Sequence, residues 1–212
     1  MSILKELSSQ VGERSQDANR AAAQRCLDEP ALLAEIAEAF SGRDAALLGD
    51  CCEVLTKVAE SRPELVVPYL TLCVPLLSHK TTRVRWEAMH AIALTAHLIP
   101  ETASVLSAML AVTIREDSST IVRDYAVDAL GGIARSSEAA AAAVYPLLRD
   151  ALTAADGKHA GRALAALRRV VESAPGLALE VLQIAHDYAD HGKPAVRKAA
   201  KMLLHDLPGG QA

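Results

Sequence analysis

The sequence predicts an all-α fold, a right-handed α–α superhelix (solenoid) of about five to six helical hairpin repeats. Three observations carry that reading. First, small residues recur at a nearly fixed period: Cys51, Ala88, Ala126, Ala163 and Ala200 stand 37, 38, 37 and 37 residues apart. Second, each begins the same apolar face. Three residues on stand Val54, Ala91, Ala129, Ala166 and Leu203; four on, Leu55, Ile92, Leu130, Leu167 and Leu204; seven on, Val58, Thr95, Ile133, Val170 and Leu207. Positions 0, 3, 4 and 7 lie on one side of an α-helix. Third, helix starts recur between these ladders at the same period, at Pro63, Pro100, Glu138 and Pro175. Proline suits the first helical turn, where its missing N–H has no intrahelical role.

Each repeat therefore reads as an outer helix, a turn and an inner helix that carries the ladder. The outer helices are expected near Pro30–Phe40, Pro63–Leu77, Pro100–Ile114, Glu138–Leu152 and Pro175–Ala189. Pro68, Pro75 and Pro146 fall inside them and should bend or break them, because each removes a backbone hydrogen bond. Polar turns such as Ser41-Gly42-Arg43-Asp44 and Asp156-Gly157-Lys158 supply helix stops and N-caps. One repeat domain spans 1–207, with repeats near 30–61, 62–98, 99–136, 137–173 and 174–207. Residues 2–29 read as a shortened capping repeat, since Ala23 precedes Cys51 by only 28 positions. The tail 208–212 is expected to be disordered.

Composition narrows the chemistry. Hydrophobic residues are 51% of the chain and aromatics 3%, so the core must be aliphatic. A net charge of −4 makes no global case for nucleic-acid binding. The charge is uneven: 14 Lys/Arg face 20 Asp/Glu in residues 1–153, and 8 face 6 in 154–212. Cys26, Cys51, Cys52 and Cys73 form no C-x-x-C pair. They read as free buried thiols suited to a reducing compartment, and no structural zinc is expected. The N-terminal residues lack an apolar stretch of signal-peptide length, and no run of 18 apolar residues occurs. A cytoplasmic location without a membrane partner is the expectation.

Two segments carry a family resemblance. Val84-Arg85-Trp86-Glu87-Ala88-Met89-His90-Ala91-Ile92 and Val122-Arg123-Asp124-Tyr125-Ala126-Val127-Asp128-Ala129-Leu130-Gly131 resemble the signature of HEAT repeats, and Val196-Arg197-Lys198-Ala199-Ala200 keeps its first half. The chain is similar to the HEAT/armadillo-like family over roughly residues 30–207, although the period falls just below the roughly 40–47 residues usual there. Leu48 and Ala160 stand where the signature has arginine. The signature arginines Arg85, Arg123 and Arg197 are expected to be structural, bonded to turn carbonyls or acids such as Asp117 and Asp190. The resemblance implies that inner helices line a concave binding surface.

The face of each inner helix opposite the ladder is not needed for a core. It comprises Gly49, Glu53, Thr56 and Glu60; Trp86, His90, Ala93 and His97; Asp124, Asp128, Gly131 and Arg135; Gly161, Ala165, Arg168 and Glu172; and Lys198, Met202 and His205. Trp86 is the only tryptophan and, flanked by His90, is a candidate interface anchor; the alternative is that it fills a gap against a neighbouring helix. The candidate partner-binding residues are Trp86, His90, His97, Asp124, Asp128, Arg168 and Lys198. Arg168 and Lys198 could clamp an acidic peptide or phosphates. Lys158, Arg162, Arg169 and Lys201 extend a basic patch, for which a solvated face is the plainer account. No P-loop, dinucleotide fingerprint or nucleophile elbow occurs. His186, Asp187, Asp190 and His191 cluster at the end of an outer helix, where surface polarity explains them better than a metal. The sequence thus points to a non-catalytic protein-binding scaffold or adaptor for a protein or peptide, without cofactor or metal, monomeric or weakly dimeric. Nucleic-acid binding through the basic C-terminal repeats is the alternative.

Overall fold

The computed structural model describes residues 2–13 and 15–207, so the tail 208–212 lies outside the described residues. Among the described residues there are twelve α-helices and no strand. The chain divides into two compact units, Met1–Thr95 and Ala96–Ala212.

The first unit holds α1 (Ser8–Val11), α2 (Asp17–Asp28), α3 (Leu32–Glu38), α4 (Ala45–Ser61), α5 (Leu70–Cys73) and α6 (Thr82–Thr95). α4 packs between α2 and α6. Its start is fixed by Asp44, whose carboxylate accepts from the Ala46 and Leu47 amides at 2.9 and 3.3 Å. The ladder residues Cys51, Val54, Leu55 and Val58 are buried, as are Ala88, Ala91 and Ile92. Thr95 ends its ladder with a hydroxyl and satisfies it locally, donating to the Ala91 carbonyl at 2.6 Å. The outer helix expected over Pro63–Leu77 is largely broken. Short 3₁₀ turns, Pro63–Leu65, Val67–Tyr69 and Val74–Ser78, surround four residues of α-helix. Pro68 and Pro75 each lack the N–H that a continuous ladder of hydrogen bonds requires.

The second unit holds α7 (Ala103–Glu116), α8 (Thr120–Ala134), α9 (Glu138–Gly157), α10 (Ala160–Ser173), α11 (Ala178–Tyr188) and α12 (Pro194–Asp206). α8 and α10 pack side by side, α10 continues onto α12, and α7, α9 and α11 back them. The ladder is again the core: Ala126, Ala129, Leu130, Ile133, Ala163, Ala166, Leu167, Val170, Ala200 and Leu203 are buried. Pro146 differs from expectation, because α9 keeps helical dihedrals through it. The break comes at Ala154–Asp156, where Ala155 and Asp156 take φ of 48° and 57°. Lys193 donates from Nζ to the carbonyls of Asp156 and Gly157 at 3.1 and 3.3 Å, which ties this turn to the start of α12.

One corner recurs in the chain. Arg62, Ile99 and Ala174, each before a proline, take φ of −137°, −125° and −129° and leave the helix. The proline ring excludes the α conformation from the residue before it. Where this unit type lacks proline, Ser137 caps α9 instead, accepting from the Ala140 amide at 3.1 Å. Two of the three signature arginines also repeat a contact. Arg85 Nη1 donates to the His79 carbonyl at 2.8 Å, and Arg197 Nη1 donates to the His191 carbonyl at 2.8 Å. Both hold the turn before their helix, the structural part expected of them.

All four cysteines are free and buried. Burial pushes the Cys26 thiol up to about 11 and the Cys51 and Cys73 thiols up to about 12. Thiolates are the reactive form, so these groups are inert. Among the described residues no single helix is long and apolar enough to cross a membrane.

Candidate partner-binding surface

In the first unit the expected open stripe of α4 is closed. Gly49, Glu53 and Thr56 are buried and only Glu60 is exposed. A polar network explains this. Asn19 of α2 donates its side-chain amide to Asp50 Oδ1 at 2.9 Å and Glu53 Oε2 at 2.8 Å. Arg83 of α6 donates from Nη2 to the same two carboxylates, at 2.7 Å each. The Ser9 amide donates to Asp50 Oδ2 at 2.7 Å, and Asn19 Oδ1 accepts from the Ser8 amide at 2.9 Å. Gly49 leaves room for the arginine, whose Nη1 lies 3.2 Å from where a Cβ would stand. Burial alone would raise the Asp50 pKa, but the hydrogen bonds from Ser9, Asn19 and Arg83 outweigh it and hold the carboxyl below its ordinary value. Glu53 Oε1 accepts no hydrogen bond among the described residues, although Lys57 Nζ lies 3.3 Å away as an ion-pair neighbour.

Beyond this network the stripe reopens. Trp86 and His90 are half-buried. The Trp86 indole donates from Nε1 to Glu87 Oε1 at 2.6 Å, so the ring is pinned by a carboxylate that is itself buried. Glu87 also holds its neighbours: its main-chain carbonyl accepts from the Thr56 hydroxyl at 3.1 Å. Burial is the main reason its pKa is raised, with the indole hydrogen bond acting the other way.

In the second unit Asp124 and Asp128 are answered mainly from α10. His159 Nδ1 lies 2.8 Å from Asp124 Oδ1, and Arg162 Nε lies 3.4 Å from Asp124 Oδ2. Arg162 also bonds the Asp128 carboxylate and lies over the Tyr125 ring at 5.8 Å. Burial raises the Asp128 pKa, against the pull of Arg162 and Arg169. Arg168 is held between Glu172 at 3.1 Å and Asp206 at 2.8 Å. Two members of the expected basic surface are therefore neutralised by acids. Lys158, Lys198 and Lys201 are exposed. Arg169 is placed differently from the solvated patch expected of it. Its guanidinium approaches Gly131, with Nη1 3.1 Å from the position of a Cβ there, and among the described residues its one hydrogen bond is long, 3.5 Å to the Asp128 carbonyl. His97 is half-buried; burial first, then Arg135 and Arg169, lower its pKa.

Arg135, Arg168 and Arg169 line one cleft of about 420 Å³, with Leu164, Met202 and Leu203 among its apolar walls. Among the described residues no three or more His, Cys, Asp or Glu side chains converge to hold a metal. The His186–His191 segment is used locally, with Tyr188 stacked on His191 at 5.6 Å and Asp187 accepting from Gln183.

Three residues that organise these surfaces were absent from the sequence-based set: Asn19, Arg83 and His159. Two of them left a signal. His159 stands four before Ala163, where Val84, Val122 and Val196 precede their own ladders, and Asn19 stands four before Ala23. A polar residue in an apolar register needs a buried partner. Arg83 stands five before Ala88, a position with no common residue type, and left none.

No protein-family model matches the chain, and no curated protein matches it. Solved structures do. A designed armadillo repeat protein in complex with the peptide (KR)4 is similar with a TM-score of 0.71 at 20% identity, covering 96% of this chain and 97% of that one. An engineered protein reaches 0.71 at 21% identity, covering 97% and 98%. A second designed armadillo repeat protein reaches 0.68 at 17% identity, covering 95% and 98%. The helices pack in consecutive pairs as in armadillo-type solenoids, and the fold is the armadillo/HEAT-like one that the ladder predicts.

Proposed function

We propose that this chain is a non-catalytic scaffold or adaptor that binds a protein or peptide partner on the exposed part of its inner-helix stripe. The observation that carries the reading is Trp86. It is half-exposed on that stripe and pinned by a hydrogen bond to Glu87. An aromatic held in place loses little freedom on binding, which is why such residues serve as interface anchors. Repeat solenoids use extended helical surfaces for recognition, and a similar designed armadillo repeat protein was crystallised with a peptide. The buried thiols suit a reducing, cytoplasmic setting.

Nucleic-acid binding is less well supported. It drew on the basic C-terminal residues, and Arg162 and Arg168 each face two carboxylates. The test is an affinity pull-down from native lysate, with and without nuclease, beside a Trp86→Ala/His90→Ala bait. A protein recovered by the wild type and lost from the variant supports the scaffold. Recovery that disappears with nuclease and ignores the variant transfers the function to nucleic acid.

A further inference from the structure

We infer that the cleft between α10, α12 and the end of α8 takes an acidic, aliphatic-flanked segment of the partner protein, with one carboxylate held by Arg135 and Arg169. This rests on the scaffold reading and names the chemistry of the partner. Three features of the cleft support it.

The first is unspent positive charge. Arg135 follows the last residue of α8 and is exposed. Among the described residues its side chain has no hydrogen bond or ion pair. Arg169 is half-buried; among the described residues its guanidinium has one long hydrogen bond, to the Asp128 carbonyl, and it pulls on the Asp128 carboxyl less strongly than Arg162 does. The Asp128 carboxylate itself is bonded by Arg162. Both guanidinium groups line the same cleft. Both also lower the pKa of His97, after burial, so their fields converge there. Guanidinium groups favour bidentate capture of carboxylates, and a partly desolvated site strengthens such pairs.

The second feature is pre-organisation. Gly131 has no side chain, and Arg169 Nη1 lies 3.1 Å from where a Cβ would stand. A side chain at Gly131 would crowd the guanidinium, so the glycine lets Arg169 come close to α8.

The third feature is what surrounds the charge. Leu164 and Leu203 are buried walls, while Met202 is 52% exposed at the mouth. A thioether side chain adapts to aliphatic shapes. Glu172 and Asp206 line the same cleft and hold Arg168. With these acids engaged by Arg168, a single carboxylate can sit on Arg135 and Arg169, whereas a polyanion such as a nucleic-acid backbone meets more repulsion from them. A glutamate or aspartate next to a leucine-like residue fits both the charge and the floor.

The test uses fluorescence anisotropy with labelled peptides on the full chain. The probes alternate glutamate with leucine, glutamine with leucine, or glutamate with glycine, and an oligodeoxynucleotide serves as the polyanion arm. The glutamate–leucine peptide is expected to bind, and each of the other peptides to bind about tenfold more weakly. Arg135→Ala and Arg169→Ala should each weaken it by a similar factor. Arg135→Ala removes an exposed, unbonded side chain, so its melting temperature should match the wild type and the loss cannot come from unfolding. Glutamate–leucine binding should also raise the His97 pKa, because the carboxylate offsets the two arginines. Equal affinity for the glutamine–leucine peptide overturns the inference, as does binding unchanged in both arginine variants. Preferential binding of the oligonucleotide overturns it as well. A Trp86-dependent partner recovered by pull-down without any acidic-peptide binding removes this inference and leaves the scaffold reading in place.

Discussion

In Met1–Thr95 the stripe positions of α4 hold Gly49, Glu53 and Thr56, and all three are buried; in Ala96–Ala212 the matching positions of α10 hold Gly161, Ala165 and Arg168, and the last two are exposed. The helices share a register but differ in what their neighbours supply. Arg83 reaches over Gly49 and Asn19 reaches the acids from α2, so α4 is closed from both sides. Around α10 the nearest atoms to Gly161 are main-chain atoms of Ala195 and Val196 at 3.8 Å or more, so no long side chain crosses it. The lesson is that a register position is only a direction. Whether it becomes core or surface depends on long polar side chains from the adjacent helices, which lie off the repeat's periodic pattern.

The contrast can be broken by substitution. The largest effect is expected from Asn19→Leu. It strips two donors from buried carboxylates and one acceptor from the Ser8 amide, and should cost about 3 kcal/mol in urea denaturation. A loss below about 1 kcal/mol would mean that water replaces the amide. Next is Gly131→Val in the second unit. Its Cβ would stand 3.0 Å from the Ala166 Cβ, so overpacking of about 1–3 kcal/mol should appear in the melting curve, together with displacement of Arg169.

His159→Val should be mild. Valine is the residue at this position before three other ladders, and His159 Nε2 is buried without a hydrogen-bond partner among the described residues. Asp124 keeps Arg162. Stability within about 1 kcal/mol of the wild type is expected. The smallest effect concerns pH. The His97 pKa is lowered on folding, so its contribution is fully present above its ordinary 6.5 and is lost as pH falls from there through the folded value. Melting temperature of the wild type should therefore fall slightly more than that of His97→Gln as pH is lowered from 7 to 5.

The periodic part of the molecule was legible in the sequence. The ladder is the core because helical spacing alone forces Leu55, Ile92, Leu130 and Leu167 onto one face. The roles of Arg85 and Arg197 were legible too, since an arginine in the first turn of a helix can reach the preceding carbonyls. Pro68 and Pro75 read correctly as breaks, whereas Pro146 did not, its helix continuing to Thr153. The stripe was only half legible. Glu53 carries no local sign that Asn19, 34 residues before it, and Arg83, 30 residues after it, will enclose it, nor Thr56 that the Glu87 carbonyl will take its hydroxyl. Arg169 looked like one more exposed cation, because the space that receives it is the missing side chain of Gly131 on another helix. Pairings between helices depend on three-dimensional neighbours that periodicity does not name.

The most direct test sets the arginines of the two units side by side in urea denaturation. Arg83→Ala leaves Asp50 and Glu53 buried without their guanidinium, and the account predicts a loss of about 3 kcal/mol. Arg135→Ala removes an exposed, unbonded group and should change stability by less than about 0.5 kcal/mol. Equal losses, or the larger loss at Arg135, would contradict the closure of α4 by Arg83 and the exposed, unbonded placing of Arg135.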